Sequence, residues 1–220
     1  MEKAGTDKYY AVRNGLKPGI YESWQECQEQ VKGYSGAKFK SFTSKEEAEQ
    51  FIQAAPSDIP INKKLPFAYI DGSFSKKNNC YSWGGFIDNH GTKYILQGTG
   101  NAPDYMQYRN ITGELRGALD VIQKAIKLEI AEINLYYDYS GIESWINGGW
   151  KCENKLSQYY KDFYERHSNK LKVNFIHVDG HTGIEGNEIA DILAKEAAGV
   201  TLRKKEEQLI RDFKESGAII

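Results

Sequence analysis

The feature that most restricts how this chain can fold is an order of periodicities beginning at Pro66. Three strand-like runs come in succession, "FAYIDG", "YSWGGFID" and "KYILQG", the last two joined by a turn at Asn89, His90 and Gly91. A helical stripe follows from about Thr112, where Leu115, Ala118, Leu119, Ile122 and Ile126 recur on one face. "EINLYYD" then reads as a fourth strand, "SGIESWINGGW" and "LSQYYKDFYERH" as helical, and "KVNFIHV" as a fifth strand. A last helix begins near Asn187, with Ile189, Ala190, Leu193, Ala194 and Ala197 on one side. An antiparallel meander continued by βαβ crossovers predicts an α/β domain with a mixed five-stranded sheet and helices on both faces.

A smaller unit precedes it over residues 7 to 54. "SWQE" (Ser23, Glu26) and "TSKE" (Thr43, Glu46) each place a hydroxyl at an N-cap and a carboxylate three residues on, so helices are expected near Trp24 and Ser44. Two short strand-like runs flank Lys17-Pro18-Gly19, and "GAKFKSF" alternates like a strand between the helices, which gives a ββαβα order. Residues 55 to 65 fall in a proline-interrupted stretch without apolar periodicity and read as a linker. The tail after Val200 carries a weak stripe of Leu202, Leu209, Ile210 and Phe213 and reads as a solvated helix.

Composition removes several classes of function. With 40% hydrophobic and 13% aromatic residues in 220, the chain can bury a core. No apolar run approaches the roughly 20 residues that span a bilayer, and "MEKAGTDKYY" lacks a signal peptide's apolar segment, so a cytoplasmic monomer without membrane contact is expected. Cys27, Cys80 and Cys152 are odd in number and widely spaced, which indicates neither a disulfide framework nor a zinc site. A net charge of −1 excludes a global basic field for nucleic acid while leaving room for a local patch.

The chemistry is expected from carboxylates. Asp71 and Asp138 each follow an apolar strand run, and if the first crossover lays those strands side by side, both sit at the carboxyl ends where open α/β sheets place their sites. Glu114 lies on the edge of the sheet-facing stripe, and Asp191 lies in the early turns of the last helix, one turn after Glu188. Each acid alone has a local explanation, an Asp-Gly turn or a first-turn charge on the helix dipole. Convergence of all four does not, because two carboxylates 4 Å apart repel by about 4 kcal/mol at an effective dielectric of 20. Such a cluster takes up protons or binds cations, and an all-oxygen set favours two Mg²⁺ ions, with Mn²⁺ as a substitute. His181, in the glycine-rich loop "HVDGHTGIEGNEIAD", is placed to move a proton near neutral pH.

The four motifs "YIDGS", "NITGE", "YYDYS" and "GHTGIEGNEIAD", in this order over residues 66 to 199, resemble type 1 ribonuclease H, the family that cuts the RNA strand of RNA–DNA hybrids. The resemblance implies that Asp71, Glu114, Asp138 and Asp191 ligate the metal ions, that His181 is the mobile histidine, and that Glu188 is an outer carboxylate. It also implies cleavage leaving 5′-phosphate and 3′-hydroxyl ends, with Gly72, Ser73 and Asn110 in contact with substrate and 2′-hydroxyls read in the minor groove. Arg109 and Ile111 depart from the family's run before the glutamate, and Tyr139 stands where a serine is common.

The first segment is similar to the hybrid-binding, viroplasmin-like domain attached to many such enzymes, through "YYAVRNG", "WQEC" and "AKFKSF". That likeness implies Tyr10, Trp24 and Phe39 on the DNA strand and Lys40 on a phosphate, with weaker binding of double-stranded RNA. Ser41 and Asn14 replace common basic residues, and the first 55 positions hold eight basic and eight acidic side chains, so weaker and less salt-sensitive binding is expected. Two rivals are an inactive hybrid binder and a DNA-cutting resolvase or integrase of the same fold group; the intact acids oppose the first and the N-terminal segment the second.

Overall fold

The computed structural model describes residues 8–32, 34, 38–53, 64–180 and 183–219. These form two units, divided between residues 61 and 62.

In the first unit, β1 (Tyr9–Asn14) pairs antiparallel with β2 (Gly19–Tyr21) and with β3 (Lys38–Phe42), giving the sheet order β2-β1-β3. Helix α1 (Trp24–Val31) starts as expected, with Ser23 Oγ accepting from the Glu26 N–H at 3.3 Å. Helix α2 (Lys45–Gln53) starts one residue later than "TSKE" predicts: Ser44, not Thr43, accepts from an amide, that of Glu47. Two adjacent hydroxyls and two adjacent glutamates offered both registers. Ala11, Val12, Cys27 and Ala48 are fully buried and make the small core.

The second unit opens with β4 (Phe67–Ser75), β5 (Cys80–Asn89) and β6 (Thr92–Gly100). The short α3 (Pro103–Met106) and the long α4 (Asn110–Lys127) follow. Then come β7 (Glu132–Tyr137), α5 (Gly141–Ser144), α6 (Lys155–His167), β8 (Lys172–His177), α7 (Glu185–Ala197) and α8 (Lys204–Glu215). The sheet order is β6-β5-β4-β7-β8, antiparallel across the first three strands and parallel from β4 to β8. The mixed five-stranded sheet is therefore the one expected, but "SGIESWINGGW" is helical only over Gly141–Ser144. A turn follows, in which Gly148 takes a φ of +80°.

Helices cover both faces. Helix α4 lies on the face of Ile70, Gly72 and Trp83, whose indole donates to Asp120 at 2.6 Å. Ala68, Ile70, Leu115, Ile122, Ile133 and Leu135 build the main core there. On the other face an aromatic layer of Phe67, Tyr69, Phe86 and Tyr136 lies under α7, with Tyr69 stacked on Tyr136 at 4.6 Å.

The tail is not solvated. Helix α8 buries Ile210 and Phe213, seats the Phe213 ring 4.8 Å from Phe86, and leads to Ile219, which exchanges backbone hydrogen bonds with Lys93 and Ile95 on the β6 edge. Its stripe looked weak because only two side chains reach the core, yet the aromatic layer leaves a flat apolar surface that needs them.

No helix among the described residues is long and apolar enough to cross a membrane. Cys27, Cys80 and Cys152 are free thiols.

Candidate active site

Asp71 does not end its strand. The expected Asp-Gly turn is overturned by β4 continuing to Ser75, because Asp71 through Ser75 keep pairing with β5, Asp71 opposite Gly84. What ends near Asp71 is the other neighbour. Parallel pairing with β7 covers only Phe67 to Tyr69, so β4 and β7 part just before Asp71, while Asp138 follows the last residue of β7. The gap between two parting parallel strands is the crevice anticipated from the crossover.

Helix α4 closes the gap from one face and begins at Asn110, two residues before the expected start. Gly72 makes this approach possible: a Cβ there would strike the carbonyl of Asn110 and the amide of Glu114. Helix packing thus accounts for the glycine without any substrate. The reward for the close approach is a bifurcated anchor, in which the Gly72 N–H donates to Asp71 Oδ1 at 2.7 Å and to Glu114 Oε1 at 2.9 Å.

Asp71, Glu114 and Asp138 consequently offer carboxylate oxygens within 4.8 Å of one another. Asp71 is 8% exposed and Glu114 only 2%. Burial, then the charge of Asp138, then that of Asp191 push the Asp71 carboxyl up to about 7, against hydrogen bonds from Glu114 and Gly72. Burial and the charge of Asp71 push Glu114 well above the carboxylate range. Oε2 of Glu114 is buried with no hydrogen-bond partner among the described residues. A buried acceptor of that kind costs about 1–3 kcal/mol, more when charged, unless a proton or a cation meets it. The donor set and the orphaned oxygen both fit a hard divalent cation.

The other expected residues fall in several places. Asp191, on α7, belongs to this neighbourhood electrostatically, but its Oδ2 is 2.6 Å from the Lys195 ammonium and it lies outside the tight trio. Glu188 lines the same cavity as Asp191, between α7 and α8. His181 lies outside the described residues; a Cβ on Gly180, which precedes it, would stand 2.8 Å from Asp138 Oδ2. Ser73 is half-buried opposite Ser82. Asn110 is exposed at the start of α4, after Arg109, whose φ of +52° is a strained value for a side chain of that size.

Sequence reasoning missed two features. Tyr139 lies close enough to Glu114 for that charge, after burial, to raise its phenol, and its ring packs on Trp145 and Trp150 at 5.8 and 6.1 Å. Trp150 stays 43% exposed, and "SWINGGW" signalled it only as two tryptophans in a glycine-rich run. The second is the tail's tie to Asp191 through Lys195 and Glu206.

In the first unit Tyr10, Trp24 and Phe39 do meet: Trp24 is 5.8 Å from Tyr10 and 5.6 Å from Phe39, and Trp24 and Phe39 are 45% and 42% exposed. Lys40, next in the strand, points to the opposite face, its ammonium 5.5 Å from the Phe42 ring.

Comparison with known proteins gives two family matches: "Ribonuclease H1 N-terminal domain" over residues 8–52 and "RNase H" over residues 63–199. The human protein named ribonuclease H1 is 26% identical over an alignment covering 88% of this chain and 90% of that protein. A ribonuclease H of Saccharomyces cerevisiae is 52% identical over 44 residues, covering 20% of this chain and 13% of that protein. One of Maricaulis maris is 30% identical over 58% of this chain and 89% of its own. The second match takes in more than half of the chain together with all the carboxylates of the crevice, and the chain belongs to the ribonuclease H family of nucleases.

Proposed function

We propose that this ribonuclease H hydrolyses the RNA strand of RNA–DNA hybrids at the Asp71–Glu114–Asp138 centre, with Asp191 as a fourth ligand, and leaves 5′-phosphate and 3′-hydroxyl ends. The observation that carries the reading is the trio itself, three carboxylates from β4, α4 and the residue after β7 within 4.8 Å, one of them with an orphaned buried oxygen. Two Mg²⁺ ions bound there, or Mn²⁺ in their place, would activate water at neutral pH and neutralise the leaving oxygen.

The chain's own groups do the rest. The Gly72 amide holds Asp71 and Glu114 at the point where β4 parts from β7, so that cations held by the trio would meet a backbone phosphate of the substrate. Gly72, Ser73 and Asn110 border that opening on the substrate side, where 2′-hydroxyl contacts would select RNA. Glu188 serves as an outer carboxylate, and His181, next in sequence after Gly180, carries a proton to or from the reacting phosphate.

The N-terminal domain holds the hybrid. Tyr10, Trp24 and Phe39 form an aromatic surface for the DNA strand, which supports stacking or sugar packing. Lys40, on the opposite face of β3, adds a phosphate contact, and double-stranded RNA binds more weakly. Trp24→Ala is expected to weaken hybrid affinity by about tenfold, within the roughly 1–3 kcal/mol of one stacking contact. Cleavage should persist with fewer cuts per encounter. A gel-shift titration paired with a processivity assay measures both, and unchanged affinity and processivity would remove this domain from substrate binding.

The central experiment is Mg²⁺-dependent cleavage of matched hybrid, double-stranded RNA and duplex DNA, with end-group analysis of the products. Cleavage confined to the RNA of the hybrid, with 5′-phosphate ends, is the expected result. Preferential cutting of DNA would overturn the assignment.

A further inference from the structure

Beyond the carboxylate trio, a charge chain links Asp191 to the tail. Lys195 Nζ lies 2.6 Å from Asp191 Oδ2 and 3.2 Å from Glu206 Oε1. Glu206 is fixed independently of that lysine: Arg203 Nη2 donates to Oε1 at 2.6 Å and the Arg203 N–H donates to Oε2 at 2.8 Å, closing the start of α8. Glu206 is buried, whereas Arg203 is exposed. Helix α8 is itself anchored by Phe213 against Phe86, by Lys214 on Glu196 at 2.8 Å, and by Ile219 on the β6 edge. The tail's side of these contacts, Arg203, Glu206, Phe213, Lys214 and Ile219, lies beyond residue 199, where the family match stops.

We infer that Glu206 is a positioning residue that retains the Lys195 ammonium when Asp191 is given over to a divalent cation. This rests on the reading of Asp191 as a metal ligand. In the structure the ammonium stands at Asp191 Oδ2, on the carboxylate a metal ion would need, and partly neutralises it. A cation arriving at Asp191 repels the ammonium, and a half-buried lysine without a counter-charge would oppose binding. Glu206 removes that opposition because it already shares the ammonium, which has three donors, so the lysine need only shift its weight from one carboxylate to the other. The cavity between α7 and α8, lined by Glu188, Asp191, Arg203 and Glu206, gives the carboxylate space to turn. In Glu206→Gln the charge is gone, Lys195 leans on Asp191, and the metal has to displace it.

The test is calorimetric titration of Mn²⁺ into the full-length, substrate-free protein, with thermal melts of every variant. Glu206→Gln should weaken Mn²⁺ binding by about three- to tenfold, the size of an ordinary coupling between charged neighbours. Lys195→Met should bind at least as tightly as the unaltered protein, and the double variant should match Lys195→Met, because without the ammonium Glu206 has nothing to retain. A lower melting temperature for Glu206→Gln with unchanged Mn²⁺ affinity would overturn the inference and leave Glu206 a structural anchor of α8. So would a double variant as weak as Glu206→Gln alone, which keeps the test decisive even if one single variant folds poorly. Failure of the unaltered protein to bind Mn²⁺ would overturn it too, by a separate result that removes the metal reading itself.

Discussion

Asp71→Asn should lower hybrid cleavage on the order of 10³-fold or more in kcat/KM while leaving hybrid binding nearly intact. The amide is isosteric, and its oxygen can still accept the Gly72 N–H that now reaches Asp71 Oδ1 at 2.7 Å, so the anchor and the strand pairing opposite Gly84 survive. What is lost is one negative charge at the centre of three carboxylates, flanked by Glu114 and Asp138. If those charges hold the cations that the chemistry requires, removing the middle one lowers both their affinity and the field at the reacting phosphate. Aromatic and groove contacts elsewhere are untouched, which is why binding in a metal-free gel-shift assay should hold. Single-turnover kinetics on a labelled hybrid make the measurement, and a loss of less than tenfold would move the reaction away from this crevice.

The variant also shows what sequence could and could not convey. Glu114 is legible because helical spacing is local: Ile111, Ala118 and Ile122 on α4 place it on the sheet-facing edge, and it is 2% exposed there. Asp138 was legible because β7 does end at Tyr137. Asp71 does join the carboxylate trio, but not as the end of its strand. Asp-Gly is a turn signal only when no partner strand competes, and here β5 pairs through it to Ser75. The real boundary is the end of pairing with β7, a fact about two segments far apart in sequence. Gly72 is expected at the substrate, and its lack of a side chain has a further use that sequence does not announce, since it admits the backbone of α4.

The packing of the tail is hidden from the sequence for the same physical reason. Its partners are Phe86, Lys93, Ile95 and Lys195, and nothing in "TLRKKEEQLIRDFKESGAII" announces them. An amphipathic stripe states that a helix has an apolar side. It does not state that another element has left a surface for it, and the sheet's second face left one of four aromatic rings.

The same Asp71→Asn change should stabilise the metal-free protein above neutral pH, the opposite of its effect on activity. In the folded state the Asp71 carboxyl is pushed from its ordinary 3.8 up to about 7, mainly by burial and then by the charge of Asp138. Between about pH 4 and 7 the folded protein therefore holds a proton that the unfolded chain has released. Its stabilising effect is complete below about pH 4 and is lost as pH rises through 7. At about 1.4 kcal/mol per pH unit, the loss is on the order of 4 kcal/mol. Glu114, raised by burial and by Asp71, acts with the same sign. The neutral amide escapes this penalty, so in chelator at pH 8 the variant should unfold about 2–4 kcal/mol later than the unaltered protein, and the gap should close at pH 4. Excess Mg²⁺ at pH 8 should close it from the other side, because a cation that binds the folded carboxylates raises the stability of the unaltered protein more than that of the variant. Urea melts at the two pH values, with and without Mg²⁺, make the comparison. A variant less stable at pH 8, or a gap independent of pH, would mean that the three carboxylates do not strain one another.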